Sequence, residues 1–137
     1  MSLVLDGSAT LAWVYPDEIT PQIVAFFDQV ILKGAIVPQL WKIEIANSLS
    51  IGIRRKRIDS ARRAVALADL DAMYVTIDHE TGKHVWRETL DLADRHRLTI
   101  YDATYLELAL RLSLPLATLD DDLRQAAQRE CVLLLGK

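Results

Sequence analysis

Short, continuously apolar runs alternate with longer amphipathic segments, and this alternation limits the possible folds more than any other feature. The apolar runs lie at residues 3–5, 35–37, 74–77, 114–118 and 131–135. They lack in/out alternation, which is typical of strands buried on both faces of a parallel sheet. The segments between them suit the helical crossovers that connect parallel strands. The sequence therefore predicts an α/β fold, a three-layer α/β/α domain with a mostly parallel sheet of four or five strands.

The expected helices carry recognisable signals at their ends. Pro21 suits a first helical turn, Gly34 ends the segment that follows it, and Asp59 suits an N-cap. One helix is expected from about residue 8, and the others over residues 20–32, 39–56, 59–72, 79–96, 102–112 and 120–129. Ligands bind outside the carboxyl ends of the strands in such sheets, so residues at those ends are candidates for function.

Composition narrows the class of protein. The 137 residues, 51% hydrophobic and 26% charged, fit one globular domain over residues 1–137. No apolar run approaches the roughly 20 residues that cross a bilayer, and the start of the chain lacks the pattern of a signal peptide. The single cysteine, Cys131, excludes an internal disulfide and is expected in a buried strand. These features predict a cytoplasmic protein.

Acidic residues directly follow two of the predicted strands. Asp6 comes after the first strand, and Asp120, Asp121 and Asp122 come after the fourth. Both groups are therefore expected at the carboxyl edge of the sheet. Taken singly, each aspartate is better explained as a helix N-cap, which contributes about 1 kcal/mol.

Two further acids lie on predicted helices. Glu44 falls within the apolar arc of its helix, where a carboxylate needs either a salt bridge or a bound cation. Asp102 stands at the start of its helix, where a capping or first-turn role is the simpler explanation. Asn47, Thr104 and Thr118 are polar residues near these acids. Such side chains either orient a carboxylate or make local backbone bonds.

The combination of acids is more informative than its members. Asp6, Glu44, Asp102 and one of the three aspartates from 120 to 122 come from four separated segments. Carboxylates brought together repel and raise one another's pKa values, so a fold that gathers them needs a cation. Oxygen ligands alone favour Mg²⁺ or Mn²⁺. Acid clusters of this kind suit metal-assisted hydrolysis of phosphodiesters.

Four motifs carry a resemblance to a known family. The chain contains, in order, VLDGSATL, LWKIEIANSL, TIYDATYLELA and LPLATLDDDL. Together they resemble the motifs of PIN-domain proteins over nearly the whole chain, and most of all those of VapC-like ribonuclease toxins of type II toxin–antitoxin pairs. The resemblance implies a PIN-like domain and a metal-dependent endoribonuclease that hydrolyses RNA through a metal-activated water.

The resemblance also implies roles for single residues. Asp6, Glu44, Asp102 and Asp120 would bind Mg²⁺ or Mn²⁺ and carry the catalysis, with Asp122 as the second choice for the fourth acid. Supporting polar residues would be Ser8 and Asn47, beside the Thr118 hydroxyl. Gly7 stands where the family often has alanine, and this change is expected to matter little.

A basic stretch and several partners complete the expectations. The stretch IRRKRIDSARR holds six basic residues within ten positions, although the net charge is −3. It is explained equally well by a solvated helix end. With the resemblance, Arg54, Arg55 and Arg57 become candidates for contacts with the RNA backbone. The family further implies a cognate antitoxin protein and a homodimer, and no membrane partner is expected.

Two alternatives stand beside this interpretation. A phosphorylation-switched receiver domain needs two acids after the first strand and a lysine after the last one. Here only Asp6 follows the first strand, Asp78 is the candidate acceptor, and the late lysine is Lys137. A catalytically silent PIN-fold binding module is the other alternative. The histidines, His79, His84 and His96, are expected to be bystanders.

Overall fold

The computed structural model describes residues 2–137, and a parallel sheet runs through its centre. The strands are β1 (Leu3–Leu5), β2 (Ala35–Pro38), β3 (Val75–Asp78), β4 (Leu116–Ala117) and β5 (Leu134–Leu135). Their order is β3-β2-β1-β4-β5, and every pairing is parallel. Val4 is in register with Ile36 on one side and Leu116 on the other. The predicted parallel sheet is confirmed, with five strands.

Seven α-helices in the described part of the chain flank this sheet, which gives the expected three-layer α/β/α architecture. They are α1 (Gly7–Val14), α2 (Pro21–Lys33), α3 (Leu40–Arg54), α4 (Ser60–Ala72), α5 (Leu90–His96), α6 (Ile100–Leu112) and α7 (Asp121–Arg129). A short 3₁₀ helix, Pro16–Glu18, lies between α1 and α2. Among residues 2–137, no helix combines the length and the apolar character that a membrane span requires.

Polar side chains begin five of the helices, as the capping signals in the sequence indicate. The N-cap residues accept a hydrogen bond from the backbone N–H three positions later, which satisfies a donor that the helix itself leaves free. They are Asp6, Thr20, Asp59, Thr99 and Asp120. Gly34 ends α2 with φ +79°, and a Cβ there would lie 2.8 Å from the Tyr74 carbonyl oxygen.

The strand order places β1 at the point where the chain changes direction across the sheet. After β1 the chain builds outward through β2 and β3, and it then returns to the other side of β1 to add β4 and β5. The Asp6 N–H donates a 3.1 Å hydrogen bond to the Ala117 carbonyl, so β1 and β4 end side by side. In open α/β sheets such a switch point forms the crevice in which ligands bind.

The helix predicted over residues 79–96 is wrong in its first half. Thr81–Lys83 forms a 3₁₀ turn and Val85–Thr89 a π-helical turn, and regular α-helix begins only at Leu90. The Thr81 hydroxyl donates a 2.6 Å hydrogen bond to Asp78, which bends the chain back towards β3. Gly82, a poor helix former, lies inside the same turn. Local contacts therefore outweigh the helical spacing of the apolar residues.

The last two strands are shorter than predicted. Ser113, directly before one predicted strand, and Cys131, the first residue of the other, adopt the left-handed region, with φ 55° and 60°. Regular pairing consequently starts only at Leu116 and at Leu134. The expectation that Cys131 is buried in a strand is wrong, because this residue is exposed in a turn.

Helix α6 supplies the middle of the core. Its residues from 103 to 109 are all buried, and the helix packs against β1 and β2. On another helix, Trp13 stacks on Phe27 with 4.8 Å between ring centroids. The Trp41 indole donates a 3.0 Å hydrogen bond to the Thr10 hydroxyl, which ties α3 to α1. Since α6 begins beside the sheet edge that carries Asp6, its packing fixes the position of Asp102.

Candidate active site

Asp6 lies at the end of β1 and is 3% exposed. Its backbone is extended, and one carboxylate oxygen accepts a 2.9 Å hydrogen bond from the N–H of Ala9. The capping interpretation is thus correct, but it accounts for only one of the contacts of this carboxylate.

Two hydroxyl groups complete the surroundings of Asp6. The Ser8 hydroxyl lies 2.8 Å and 3.0 Å from the two carboxylate oxygens, and the Thr118 hydroxyl lies 2.5 Å from one of them. Each hydroxyl also accepts from the backbone after β4, Ser8 from Leu119 N–H at 2.9 Å and Thr118 from Asp120 N–H at 3.1 Å. The two hydroxyls therefore connect the ends of β1 and β4.

Burial controls the ionisation of Asp6. Desolvation raises its pKa to about 6, and the nearby charge of Glu44 adds to the rise. The hydrogen bonds from Ala9, Thr118 and Ser8 act in the opposite direction. A carboxyl group with this pKa is largely ionised at neutral pH, and it carries its charge in a poorly solvated place.

Glu44 reaches the same place from the middle of α3. It is half-buried, and one of its carboxylate oxygens accepts a hydrogen bond from the Tyr105 hydroxyl. On the α1 side, a Cβ built on Gly7 would lie 3.1 Å from that oxygen. Glu44 makes no ion pair with any residue in 2–137, so the salt-bridge explanation fails for the described residues.

Asp102 lies in the first turn of α6 and is not its cap. The cap is Thr99, whose hydroxyl accepts a 3.1 Å hydrogen bond from the Asp102 N–H. The pKa of the Asp102 carboxyl is raised to about 6. Burial is the main cause, and the charges of Asp120, Glu44 and Asp122 contribute smaller increases. Carboxylates from α3 and from the start of α7 therefore act on one group in α6.

The three consecutive aspartates after β4 occupy different environments. Asp120 is half-buried and caps α7, accepting a 2.8 Å hydrogen bond from Leu123 N–H. Asp121 is exposed and forms an ion pair with Lys137 at 2.6 Å. Asp122 is exposed in the first turn of α7 and acts less on Asp102 than Asp120 does. Asp120 is thus the member of the run best placed beside the other acids.

The donor set fits a hard divalent cation by its chemistry. All the candidate ligands are carboxylates, and the charges of neighbouring acids add to burial in raising the pKa values of Asp6 and Asp102. Within residues 2–137, no three acidic, histidine or cysteine side chains are already arranged to hold an ion. Carboxylate rotamers would therefore have to close around a cation, which would relieve the repulsion between them.

A groove of about 300 Å³ adjoins the acids and is lined by both acidic and basic residues. Ser8 and Asp120 line it, and so do Arg55 and Arg57. The Arg57 guanidinium stacks over the Tyr15 ring at 3.9 Å and pairs with Glu18 at 3.2 Å. The other members of the predicted basic patch are outside this groove, Arg54 among them.

Within residues 2–137, several other candidate residues make no side-chain hydrogen bond to the four acids. Asn47 is exposed on α3. The Thr104 hydroxyl donates to the Ile100 carbonyl at 2.8 Å, which is a local backbone bond. The histidines contact other groups: His79 lies 3.4 Å from Gln39, His84 3.3 Å from Glu88 and His96 3.0 Å from Glu130.

Asp78, the acceptor that a receiver domain would use, has a structural role. Arg111 donates to it at 2.8 Å and 3.3 Å, and also binds Glu107 at 2.8 Å. Hydrogen bonds from Arg111 and Thr81 hold the pKa of Asp78 at about 2 against the effect of its burial. A carboxylate bound in this way is not free to take up a phosphoryl group, which removes the support for the receiver alternative.

Tyr105 is the residue near the acids that sequence reasoning missed. Its spacing places it on the apolar stripe of α6, and it is indeed 1% exposed. Its hydroxyl nevertheless donates to Glu44, and burial together with the charge of Glu44 raises the pKa of this phenol above its usual range. The sequence offered only a general indication of this contact, which is that a buried tyrosine needs a hydrogen-bond partner for its hydroxyl.

Comparison with known proteins identifies the family of this chain. The sequence model of the PIN domain matches residues 3–129. The chain belongs to the PIN domain family. A relative, Ribonuclease VapC3 of Pyrobaculum aerophilum, is 30% identical over 129 residues, which cover 94% of this chain and 95% of the relative.

Solved structures share the PIN fold. PAE2754 from Pyrobaculum aerophilum superposes with a TM-score of 0.67 at 24% identity, covering 92% of this chain and 84% of the other. FitAcB from Neisseria gonorrhoeae gives a TM-score of 0.57 at 20% identity, covering 96% and 95%. At these identities the likeness supports the fold of this PIN domain, and its chemistry has to be argued from its own residues.

Proposed function

We propose that this PIN domain is a Mg²⁺- or Mn²⁺-dependent endoribonuclease and the toxin of a toxin–antitoxin pair. The observation that carries the proposal is that carboxylates from four separate elements lie near one another: the end of β1, α3, α6 and the start of α7. Carboxylates gathered from separate elements without a neutralising cation are what a divalent-metal site for phosphodiester hydrolysis requires. The 30% identity to a protein named a ribonuclease supports RNA as the substrate.

The cation would be held by Asp6, Glu44, Asp102 and Asp120. When bound, Mg²⁺ or Mn²⁺ supplies positive charge for the phosphate oxygens and makes a nearby water more acidic. Asp122 would be the second choice for the fourth ligand, because its charge acts on Asp102 less than that of Asp120 does.

The neighbouring polar residues would hold the carboxylates in fixed orientations for cation binding. Ser8 and Thr118 fix both oxygens of Asp6, so that its carboxylate does not rotate freely. Asn47 is also proposed to support the site, but its side chain is exposed on α3. We expect it to act on the RNA and not on the acids.

The arginines would bind the RNA backbone. Arg55 and Arg57 line the same groove as Ser8 and Asp120, so a strand lying in it would have its phosphates near cations and one phosphodiester near the acids. Arg54, exposed in the last turn of α3, would reach a phosphate farther along the strand.

The proposed partners follow from the same charges and from the exposed apolar side chains. An antitoxin that presents a basic side chain to the acids would neutralise them and block the groove. Exposed Ile31 and Leu32 offer apolar area for a homodimer or for that antitoxin. Because the substrate would be cellular RNA, we place the activity in the cytoplasm.

Cleavage of a panel of RNAs tests the proposal. Wild type with Mg²⁺ or Mn²⁺ is expected to cut at least one RNA, and Asp6→Asn and Asp102→Asn are expected to lose the activity. Asp121→Asn is the matched control, because Asp121 is next to Asp120 but points to Lys137. Cleavage that survives chelation, or variants that cut like wild type, would overturn the metal site. Metal-independent binding of RNA without cleavage would indicate the silent binding module instead.

A further inference from the structure

We propose that Tyr105 is a positioning residue that holds Glu44 for cation binding through its hydroxyl group. The inference rests on the proposed function, because it concerns how one of the proposed ligands is kept in place. It assigns a role to a side chain that the spacing of α6 predicts to be plain core.

The contacts around Glu44 carry this inference. Tyr105 lies three residues after Asp102 in α6, so the two side chains share a face of the helix. Its hydroxyl donates to one oxygen of Glu44, and Gly7 leaves just enough room on the other side of that oxygen. Glu44 is thereby held between α1 and α6, although it belongs to α3.

The chemistry of the donor matters as much as its position. A lysine or arginine here would neutralise Glu44 and compete with a cation for it. A phenol donates a hydrogen bond but brings no positive charge, so the carboxylate keeps its charge. Among residues 2–137, nothing donates a hydrogen bond to the second oxygen of Glu44, which leaves that oxygen for a cation.

The fully buried ring makes the hydroxyl a rigid donor. Tyr105 is 1% exposed and packed in the core helix, so its ring cannot swing away when Glu44 moves. Groups that hold a metal ligand in place without touching the metal typically change metal affinity by about 10- to 100-fold when removed. We expect the loss of this single hydroxyl to fall in that range.

The experiment measures Mn²⁺ binding by isothermal titration calorimetry on the full chain. Tyr105→Phe keeps the ring and its packing, and it is expected to weaken Mn²⁺ binding about 10- to 100-fold. Tyr74→Phe is the control, because Tyr74 is an exposed tyrosine at the start of β3. Its Mn²⁺ affinity should equal that of wild type. A change of less than about twofold in Tyr105→Phe overturns the inference.

A double-mutant cycle separates positioning from general loosening of the core. In a Glu44→Ala background the Tyr105 hydroxyl has no carboxylate to hold, so Tyr105→Phe should then change Mn²⁺ affinity less than about twofold. An equal loss in both backgrounds would mean that the hydroxyl acts through something other than Glu44, and the inference would fail.

Parallel RNA-cleavage assays distinguish the inference from the proposed function. If Tyr105 only positions Glu44, raising Mn²⁺ should return the kcat of Tyr105→Phe to near the wild-type value. If the double-mutant cycle gives the expected Mn²⁺ affinities but no RNA is cut, the inference stands and the proposed ribonuclease activity is wrong. If wild type binds no Mn²⁺, both are overturned.

Discussion

The hydroxyl of Thr118 donates a 2.5 Å hydrogen bond to the carboxylate of Asp6, across 112 positions of the chain. The same hydroxyl accepts from the Asp120 N–H at 3.1 Å. One small side chain therefore joins the first candidate ligand to the backbone of the fourth. The stability of the fold and the ionisation of Asp6 therefore both depend on the Thr118 hydroxyl.

We expect Thr118→Val to destabilise the protein by about 1–3 kcal/mol, because it leaves the Asp120 N–H and one oxygen of Asp6 without this partner in a buried place. The pKa of Asp6 should rise above its present value of about 6, since a donor to its charged form is lost. Urea unfolding at pH 7.5 measures the first effect. Thr118→Ser keeps the hydroxyl and should stay closer to wild type. Equal stability of the valine and serine variants would contradict this role.

The pKa of Asp6 predicts an unusual dependence of stability on pH. Between about pH 4 and pH 6 the folded protein retains a proton on Asp6 that the unfolded chain has already released. The free energy of unfolding therefore falls as the pH rises through this window, by about 3 kcal/mol from Asp6 at 1.36 kcal/mol per pKa unit. Asp102 contributes in the same direction.

Urea unfolding with EDTA at pH 4.5 and pH 7.5 checks this prediction. Asp6→Asn should gain stability over wild type at pH 7.5 and match it more closely at pH 4.5. Asp78 does not interfere, since its pKa of about 2 places the loss of its contribution below this window. A difference between variant and wild type that is the same at both pH values would show that Asp6 does not titrate as described.

Gly52 is required by the position of Tyr15. A Cβ at residue 52 would lie 2.3 Å from the Tyr15 hydroxyl oxygen, so Gly52→Ala must displace that ring. We expect a loss of about 1–3 kcal/mol, as for other overpacked sites. Thermal unfolding gives the measurement. Gly82→Ala is the matched control, because a Cβ there meets nothing within 4 Å. The prediction fails if both alanine variants melt together.

The parallel sheet and two of the acids were predictable because their signals are local. Continuous apolar runs mark buried parallel strands, and a residue that directly follows such a strand has to lie at the carboxyl edge. Asp6 and Asp120 therefore lie where they were expected, and both also cap helices. The order of the strands was not predicted, because local spacing does not determine which strands pair.

The surroundings of Glu44 were not predictable in the same way. The apolar arc of α3 indicated that this carboxylate needs compensation, but its partner lies 61 residues away on a stripe that looks purely apolar. The segment over residues 79–96 failed for a different reason. Its periodicity is helical, but the Thr81 hydroxyl donates to Asp78 three residues earlier, and this local contact prevents a regular helix from starting there.

The groove predicts unequal roles for neighbouring arginines. Arg55→Gln should weaken the binding of single-stranded RNA and reduce the slope of log K against log salt by about 0.7, the value for one phosphate contact. Arg54→Gln should change both less, because Arg54 lies outside the groove. Fluorescence anisotropy in an Asp102→Asn background, where cleavage is expected to be absent, gives both values. Equal effects at the two positions would argue against a strand in this groove.

Arg111 is expected to matter for folding and not for chemistry. It joins Asp78 and Glu107, two carboxylates that are 8% and 3% exposed. Arg111→Met should cost about 3 kcal/mol, since it leaves both acids without their cation. Chemical denaturation measures the loss, with the exposed Arg129→Met as control. Denaturation curves that superpose for the two variants would contradict this assignment.

The strand order also determines when the site can form during synthesis. A nascent chain that has emerged as far as β3 already contains Asp6 and Glu44, but it has neither α6 nor the strand that pairs with the free edge of β1. Asp102 and Asp120 arrive last, and Thr118 arrives with them. A ribosome making this protein therefore carries a fragment that cannot bring the four acids together until about 120 residues are available to fold.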